Sequence, residues 1–406
     1  MKKITLILMS IMLSISVNAT DLKTLIKNNP DLGKAIEASL LKAHETAIAK
    51  QLNNIDKLYW PKTLDDYYLY LDDFSKWIPT EGNIHSREHY DKEILVKLYH
   101  FYWLIDEVQN IPEFSDWLVE FANSWGDFLN TFESITPESI QSFMDQPLFN
   151  MEQYMMPSGA YTPARKETIA NNPSGWLTFN QFFAREALPG LRPVAGLKND
   201  KVIVSPADAE FKRIFPINKN SEIVVDGKAK AKIGRVKKTH DYSIAELIKG
   251  SGYEDAFKNG IFMHSFLSPY DMHRFCSPVS GEVKYSTSVQ NRVYLEVVIN
   301  DKGDYDAPDN TDGGYEFIQT RGIIILDTGE ENGIVAVIPI GMAQVSSVNM
   351  NAPKGVNLYK GQEFGYFLFG GSDIILLFQE KANFQLDLGE NPKKQAGNKI
   401  GEFGTK

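Results

Sequence analysis

Ile334-Val335-Ala336-Val337-Ile338-Pro339-Ile340 is a short apolar run dominated by β-branched side chains, the composition of a buried strand. Similar runs lie on either side of it. Val202-Ile203-Val204, Ile223-Val224-Val225, Ile261 to Leu267, Val293 to Ile299, Ile323 to Leu326 and Ile374 to Phe378 are separated by Gly, Asp and Asn turns. No helical pattern is regularly interposed between them. This argues against a doubly wound α/β sheet and for antiparallel sheets packed on one another.

Upstream the period changes. From about Asp21 to Asn150, Ile94, Leu95, Leu98, Tyr102 and Ile105 mark one face of a 3.6-residue repeat, and Trp117, Phe121, Trp125 and Phe128 continue it as core aromatics. Pro61, Pro79, Pro112 and Pro137 divide this half into several helices. Between Met151 and Pro173 the composition shifts to Pro, Ser, Gly, Thr and Asn, as in a connector. The expected class is α+β, with a helical N-terminal domain (20–160) before a mostly antiparallel β domain (161–406). The 406 residues suit two or three units, and no internal repeat marks a solenoid or propeller.

The formal net charge of −10 and the lack of Lys/Arg runs speak against a nucleic-acid partner. Cys276 is the single cysteine, which excludes an internal disulfide and a structural zinc site built on two thiolates. Residues 1–19 have the anatomy of a secretory signal: Lys2 and Lys3, the apolar run Ile4 to Val17, then Val17-Asn18-Ala19 with small residues at −3 and −1. Cleavage after Ala19 is expected, giving an exported protein. The run is short of the about 20 residues a spanning helix needs, which weighs against an uncleaved membrane anchor, and no later stretch is apolar enough to span a bilayer, so the mature protein should be soluble or only peripherally attached.

Familiar enzyme signatures are mostly absent. There is no G-x-G-x-x-G and no G-x-x-x-x-G-K-[ST], and Gly370-Gly371-Ser372-Asp373-Ile374 is not G-x-S-x-G because Ile374 holds the last place. The acidic stretch Asp301 to Gly314 fails the spacing of a calcium loop and reads as a solvated loop. His85-Ser86-Arg87-Glu88-His89 matches H-x-x-E-H, a zinc-hydrolase arrangement, against which stands the plainer reading of an exposed polar helix start. No metal is expected.

A more specific constellation runs through the second half. Phe179-Asn180-Gln181-Phe182-Phe183-Ala184-Arg185, Leu188-Pro189-Gly190-Leu191-Arg192-Pro193, Ser205-Pro206-Ala207-Asp208, Leu267-Ser268-Pro269-Tyr270-Asp271-Met272-His273-Arg274-Phe275, Lys360-Gly361-Gln362-Glu363 and Phe369-Gly370-Gly371-Ser372 follow in that order. From about Trp176 to Phe378 the chain resembles the phosphatidylserine decarboxylase family of pyruvoyl-dependent enzymes. The chemistry of a Gly-Ser junction agrees. With no side chain at Gly371, the backbone can bring the Ser372 hydroxyl onto the Gly371 carbonyl for an N→O acyl shift. Elimination and hydrolysis would then leave a pyruvoyl group at position 372, a ketone that forms a Schiff base with a substrate amine and takes up the electrons released with CO2.

The resemblance implies roles for individual residues. Ser372 is the self-cleavage nucleophile and pyruvoyl precursor, Asp208 the acid of the processing triad, and His273 the residue tied to the decarboxylation proton. The triad's usual base histidine falls on Cys276, a thiol mostly protonated at neutral pH, so processing could be slow, rerouted through His273 or His264, or lost. Ala209 stands where the family often has Gly, and His264 reads more readily as a core histidine.

The substrate is an amine-bearing carboxylate, either the phospholipid phosphatidylserine or a free L-amino acid. The helical extension and the Gly-Gly-Ser-Asp junction are similar to the branch holding fungal tryptophan decarboxylase-like enzymes. The rival reading, which Cys276 motivates, is an exported, non-processing relative acting as a binding protein.

Overall fold

Prolines and short polar side chains set where the helices start. In the computed structural model, which describes residues 19–82, 93–155, 175–225, 228–229, 243–307, 315–343, 347–370 and 372–404, helices Pro30–Ala49, Pro112–Phe128 and Pro137–Met144 each begin on a proline. At that position the missing N–H has no helical partner to lose. Thr63 and Thr136 close capping boxes at the starts of Leu64–Phe74 and Pro137–Met144.

The aromatic positions of the helices Glu93–Leu104 and Pro112–Phe128 meet as anticipated. Phe101, Tyr102, Phe114, Trp117, Phe121 and Trp125 are buried, while Leu95 and Phe128 are only half-buried. Trp77 stacks on Trp125 with ring centroids 5.4 Å apart, and Phe74 lies 4.7 Å from Phe101. No helix among the described residues is long and apolar enough to cross a membrane. Residues 156–173 of the connector, residues 1–18 of the signal segment and the His85–His89 motif lie outside the described residues.

The strands, numbered in chain order, are β1 (Val202–Val204), β2 (Ala209–Pro216), β3 (Val224–Val225), β4 (Lys228–Ala229), β5 (Ile261–Leu267) and β6 (Arg274–Cys276). Then come β7 (Gly281–Val289), β8 (Val298–Ile299), β9 (Tyr305–Asp306), β10 (Thr320–Asp327), β11 (Ile334–Gly341) and β12 (Val348–Met350). The last are β13 (Asn357–Leu358), β14 (Glu363–Phe367), β15 (Ser372–Phe378), β16 (Phe384–Leu386), β17 (Lys393–Lys394) and β18 (Lys399–Phe403).

Eight of them form one sheet in the order β13-β7-β10-β11-β15-β5-β2-β17, and every pairing in it is antiparallel. Its central strands are apolar at nearly every position because both faces are covered. Ile324, Leu326, Val335, Val337, Ile374 and Leu376 share a buried cluster with the helical half. Ile323, Ile325, Ala336, Ile338, Ile375 and Leu377 point the other way, onto a second cluster with Ile244, Leu247 and Phe317. The class is therefore α+β, mostly antiparallel.

Two local expectations need correction. Of Val293–Ile299 only β8 is a strand. The Leu295 backbone bonds instead to the Gln109 side chain, which accepts from its N–H at 3.2 Å and donates to its carbonyl at 3.1 Å. The acidic stretch from Asp301 is not simply solvated either. Tyr305–Asp306 pairs with β8, Asn53 donates to the carbonyls of Gly303 and Lys302, and the Tyr305 hydroxyl lies 3.0 Å from His100 Nδ1. Partners from distant turns, Gln109 and Asn53, satisfy backbone that local composition marks as loop.

Candidate active site

Strand β15 starts at Ser372, opposite Leu267 on β5 and Gly341 on β11. Alternation sends Ser372 and Ile374 to the face shared with the helical half and Asp373 and Ile375 to the other. Ser372 is fully buried, and its Oγ has no hydrogen-bond partner among the described residues. Just before it Gly370 holds φ at +144°, a conformation side chains rarely adopt, while Gly371 lies outside the described residues.

His273 lies in the loop between β5 and β6, which leaves β5 just past Leu267, the strand partner of Ser372. Its carbonyl accepts the Phe367 N–H at 2.8 Å, and its ring lies 3.9 Å from that of Phe183, which also meets Phe369 at 5.1 Å. Nδ1 is 2.9 Å from the Asp271 carbonyl. A carbonyl only accepts, so Nδ1 carries the hydrogen and Nε2 keeps a lone pair. Nε2 has no partner among the described residues. Burial, reinforced by the Arg185 guanidinium, holds the imidazole pKa well below its ordinary value, so the ring is neutral. Arg185 also donates to the carbonyls of Tyr270 (2.8 Å) and Asp271 (3.3 Å), which braces the loop carrying His273.

Asp208 immediately precedes β2, which lies beyond β5 from β15. Glu210 on β2 and Asp373 on β15 both sit opposite Phe266 on β5, so Asp208 and Ser372 fall at the same end of the sheet. The carboxylate is nevertheless engaged elsewhere. Arg192 grips it through Nε at 2.9 and 3.1 Å and Nη2 at 2.6 Å, and the Ala396 N–H donates at 2.8 Å.

Cys276, at the end of β6, is buried with Sγ 3.8 Å from the Ser205 carbonyl. Burial first, then the Asp208 and Glu363 carboxylates, push its thiol up to about 12. A thiol held protonated is a poor proton acceptor at neutral pH. A cavity of about 220 Å³, lined by Arg192, Met272, Arg274, Cys276 and Glu363 among others, opens beside this pair.

The structure thus brings Ser372, His273, Asp208 and Cys276 to one end of the sheet without linking them into a hydrogen-bonded triad.

Two features were not anticipated from the sequence. Arg192 stood in a recognised motif with no role attached. On the opposite face of the sheet, His264 Nε2 lies 3.1 Å from Asp373 Oδ1, next to an Arg213–Glu316 ion pair at 2.9 Å. Burial raises Asp373 to about 7. The available signal was a carboxylate set inside the apolar run Ser372 to Phe378. His264 is buried and partnered, in keeping with its reading as a core histidine. Among the described residues no group of three or more His, Cys, Asp or Glu side chains is arranged to hold a metal ion.

Comparison with known proteins agrees with the motif order. The family model for phosphatidylserine decarboxylase matches residues 179–402, more than half of the chain. A phosphatidylserine decarboxylase proenzyme from Geobacillus sp. (strain WCH70) is 32% identical over 240 residues, covering 58% of this chain and 80% of its own. Phosphatidylserine decarboxylase proenzyme 2 from Oryza sativa subsp. japonica is 29% identical over 52% of this chain, which spans only 31% of that longer protein. Decarboxylase iboD from Amanita muscaria is 25% identical over 67% of this chain and 78% of its own. With motifs, antiparallel fold and family match in agreement, the chain belongs to the phosphatidylserine decarboxylase family.

Proposed function

We propose that this chain is a pyruvoyl-dependent carboxy-lyase that cuts itself between Gly371 and Ser372, with His273 as the proton-transfer base. The observation that carries this reading is the occurrence, toward the same end of the sheet, of two fully buried polar atoms, Ser372 Oγ and His273 Nε2, each without a hydrogen-bond partner among the described residues. Leaving such groups unpaired costs about 1–3 kcal/mol apiece, and sites of chemistry are where that cost is tolerated.

In the cleavage, Ser372 Oγ attacks the Gly371 carbonyl carbon while Nε2 of His273 takes the hydroxyl proton. The Ser372 nitrogen leaves protonated, so the amide becomes an ester. Loss of the Cα proton of residue 372 then breaks its Cβ–Oγ bond and releases Gly371 as a carboxylate. Water displaces ammonia from the dehydrated residue, leaving a ketone. Once formed, that pyruvoyl group supplies an electron-accepting carbonyl for a substrate amine. His273 serves the proton transfers because its tautomer is fixed by Asp271 and its ring is neutral.

The names of the bacterial and plant relatives support phosphatidylserine as substrate, with peripheral membrane contact as its corollary; a free amino acid is the alternative. Export through residues 1–19 belongs to the same proposal. A second reading, an exported binding protein that never processes, draws support from the protonated Cys276 thiol and from the hold of Arg192 on Asp208.

Mass spectrometry of the purified full chain separates the two. A break before Ser372, with a blocked, carbonyl-bearing C-terminal fragment that Ser372→Ala abolishes, is the expected result. A chain that stays intact overturns the lyase reading and leaves the binding protein. CO2 release from phosphatidylserine vesicles against free amino acids then assigns the substrate.

A further inference from the structure

The helical half reaches the segment that leads into the cleavage point. Phe369, three residues before Ser372, is buried in an aromatic box drawn from both halves. Its ring meets Trp125 at 5.3 Å, Phe179 at 5.0 Å and Phe183 at 5.1 Å, each nearly edge-on, with Trp77 at 6.3 Å. Its backbone N–H donates to Asn180 Oδ1 at 3.1 Å.

Asn180 is itself tied to the helical half. Its Nδ2 donates to the Gly126 carbonyl at 3.2 Å and to Asn130 Oδ1 at 3.0 Å, and its N–H donates to the Leu129 carbonyl at 3.1 Å. Trp125 is fixed in turn by its Nε1–H on the Trp77 carbonyl at 3.2 Å. On the far side of the junction Ser372 is pinned between β5 and β11. Only Gly370 and Gly371 separate the two anchors.

We infer that the end of helix Pro112–Phe128, acting through Asn180 and the aromatic box around Phe369, is a positioning device for self-cleavage that anchors the chain immediately upstream of the two-glycine span leading to Ser372. The inference rests on the self-cleavage reading and assigns a task to the helical half. A two-glycine span has wide backbone freedom, and the acyl shift needs one conformation of it. Fixing both ends removes most of that search before the chemistry begins. Releasing one end returns the freedom of about one or two residues, which slows the reaction about ten-fold or more.

The test is the first-order rate of chain cleavage of the full-length precursor, followed on denaturing gels and by mass. Phe369→Leu empties the ring positions and is expected to slow cleavage about ten-fold or more, while Phe369→Tyr keeps the ring and restores the rate to within about three-fold. Asn180→Ala, which frees the Phe369 N–H without emptying the box, is expected to slow cleavage similarly and stands in should Phe369→Leu fail to fold. Melting points of each variant are taken in a Ser372→Ala background, where no cleavage alters the chain.

Cleavage of both Phe369→Leu and Asn180→Ala at the parental rate overturns the inference while leaving the lyase reading intact. Rates that merely follow the melting points, with no rescue by Phe369→Tyr, overturn it as well. A parental chain that never cleaves overturns the lyase reading, and the inference with it.

Discussion

Glu81 offers a test of how the helical half meets the His273 loop. Its carboxyl is 1% exposed. Oε2 accepts the Ile94 N–H and Oε1 the Tyr270 hydroxyl, each at 3.3 Å, while its own N–H donates to Ser142 Oγ at 3.0 Å. Through its side chain and its backbone N–H, this one residue joins two helices to the loop that carries His273. Burial first, with the Glu93 charge adding, raises it from the ordinary 4.5 to about 7.

A carboxyl whose folded pKa exceeds its unfolded value contributes stability that is complete below about pH 4.5 and lost as pH rises through 7. The shift corresponds to about 3 kcal/mol at most. Glu81→Gln keeps the shape and an acceptor but never ionises. In a Ser372→Ala background, urea unfolding should show this variant within about 1 kcal/mol of its parent near pH 5 and more stable by about 2–3 kcal/mol near pH 8.5. Parallel stability–pH curves for the two proteins would refute the reasoning, because they would mean that Glu81 is solvated and the contact to Tyr270 open.

Three further outcomes are expected. His273→Gln should slow self-cleavage about 100-fold or more, whereas Cys276→Ser should change it by less than about three-fold; comparable losses in the two rates would return the base role to position 276. His100, buried and lowered to about 4, has a folded pKa below its unfolded value of 6.5, so it contributes stability above pH 6.5 that is lost as pH falls toward 4. Urea midpoints should record a loss of about 3 kcal/mol from this group on acidification, absent in His100→Asn, with His273 adding to the loss in both proteins. Arg192→Met strands the Asp208 carboxylate in the interior and should cost about 3–5 kcal/mol by denaturant unfolding, with much of it recovered in the double variant Arg192→Met, Asp208→Asn.

Much of the architecture was legible because it rests on local pattern. Runs such as Ile334–Ile340 carry their strand character in composition, and Pro112 and Pro137 announce helix starts in their own geometry. Ser372 and His273 stand out in the sequence through the motifs that carry the family resemblance, Phe369-Gly370-Gly371-Ser372 and Leu267 to Phe275. What stayed hidden is long-range. Arg192 meets Asp208 only after the chain has turned back, and the diagonal of His264 with Asp373 depends on the β5–β15 register. The docking of Asn53 on Gly303 joins residues far apart in sequence. No periodicity encodes such meetings.

Strand β15 bears on what a cut before Ser372 would do to the molecule. It has a neighbour on each side, with seven residue pairs to β11 and seven to β5, and β16–β18 follow it in the chain. A scission before its first residue would therefore leave two polypeptides woven into a single body, with no interface between preformed subunits to come apart. Native chromatography would see one particle and only denaturant would reveal two. Mixing the separated pieces would demand that the shorter one be inserted between β5 and β11, each of which loses a strand partner without it, so the cut state is easily inherited from an intact fold and hard to assemble from parts.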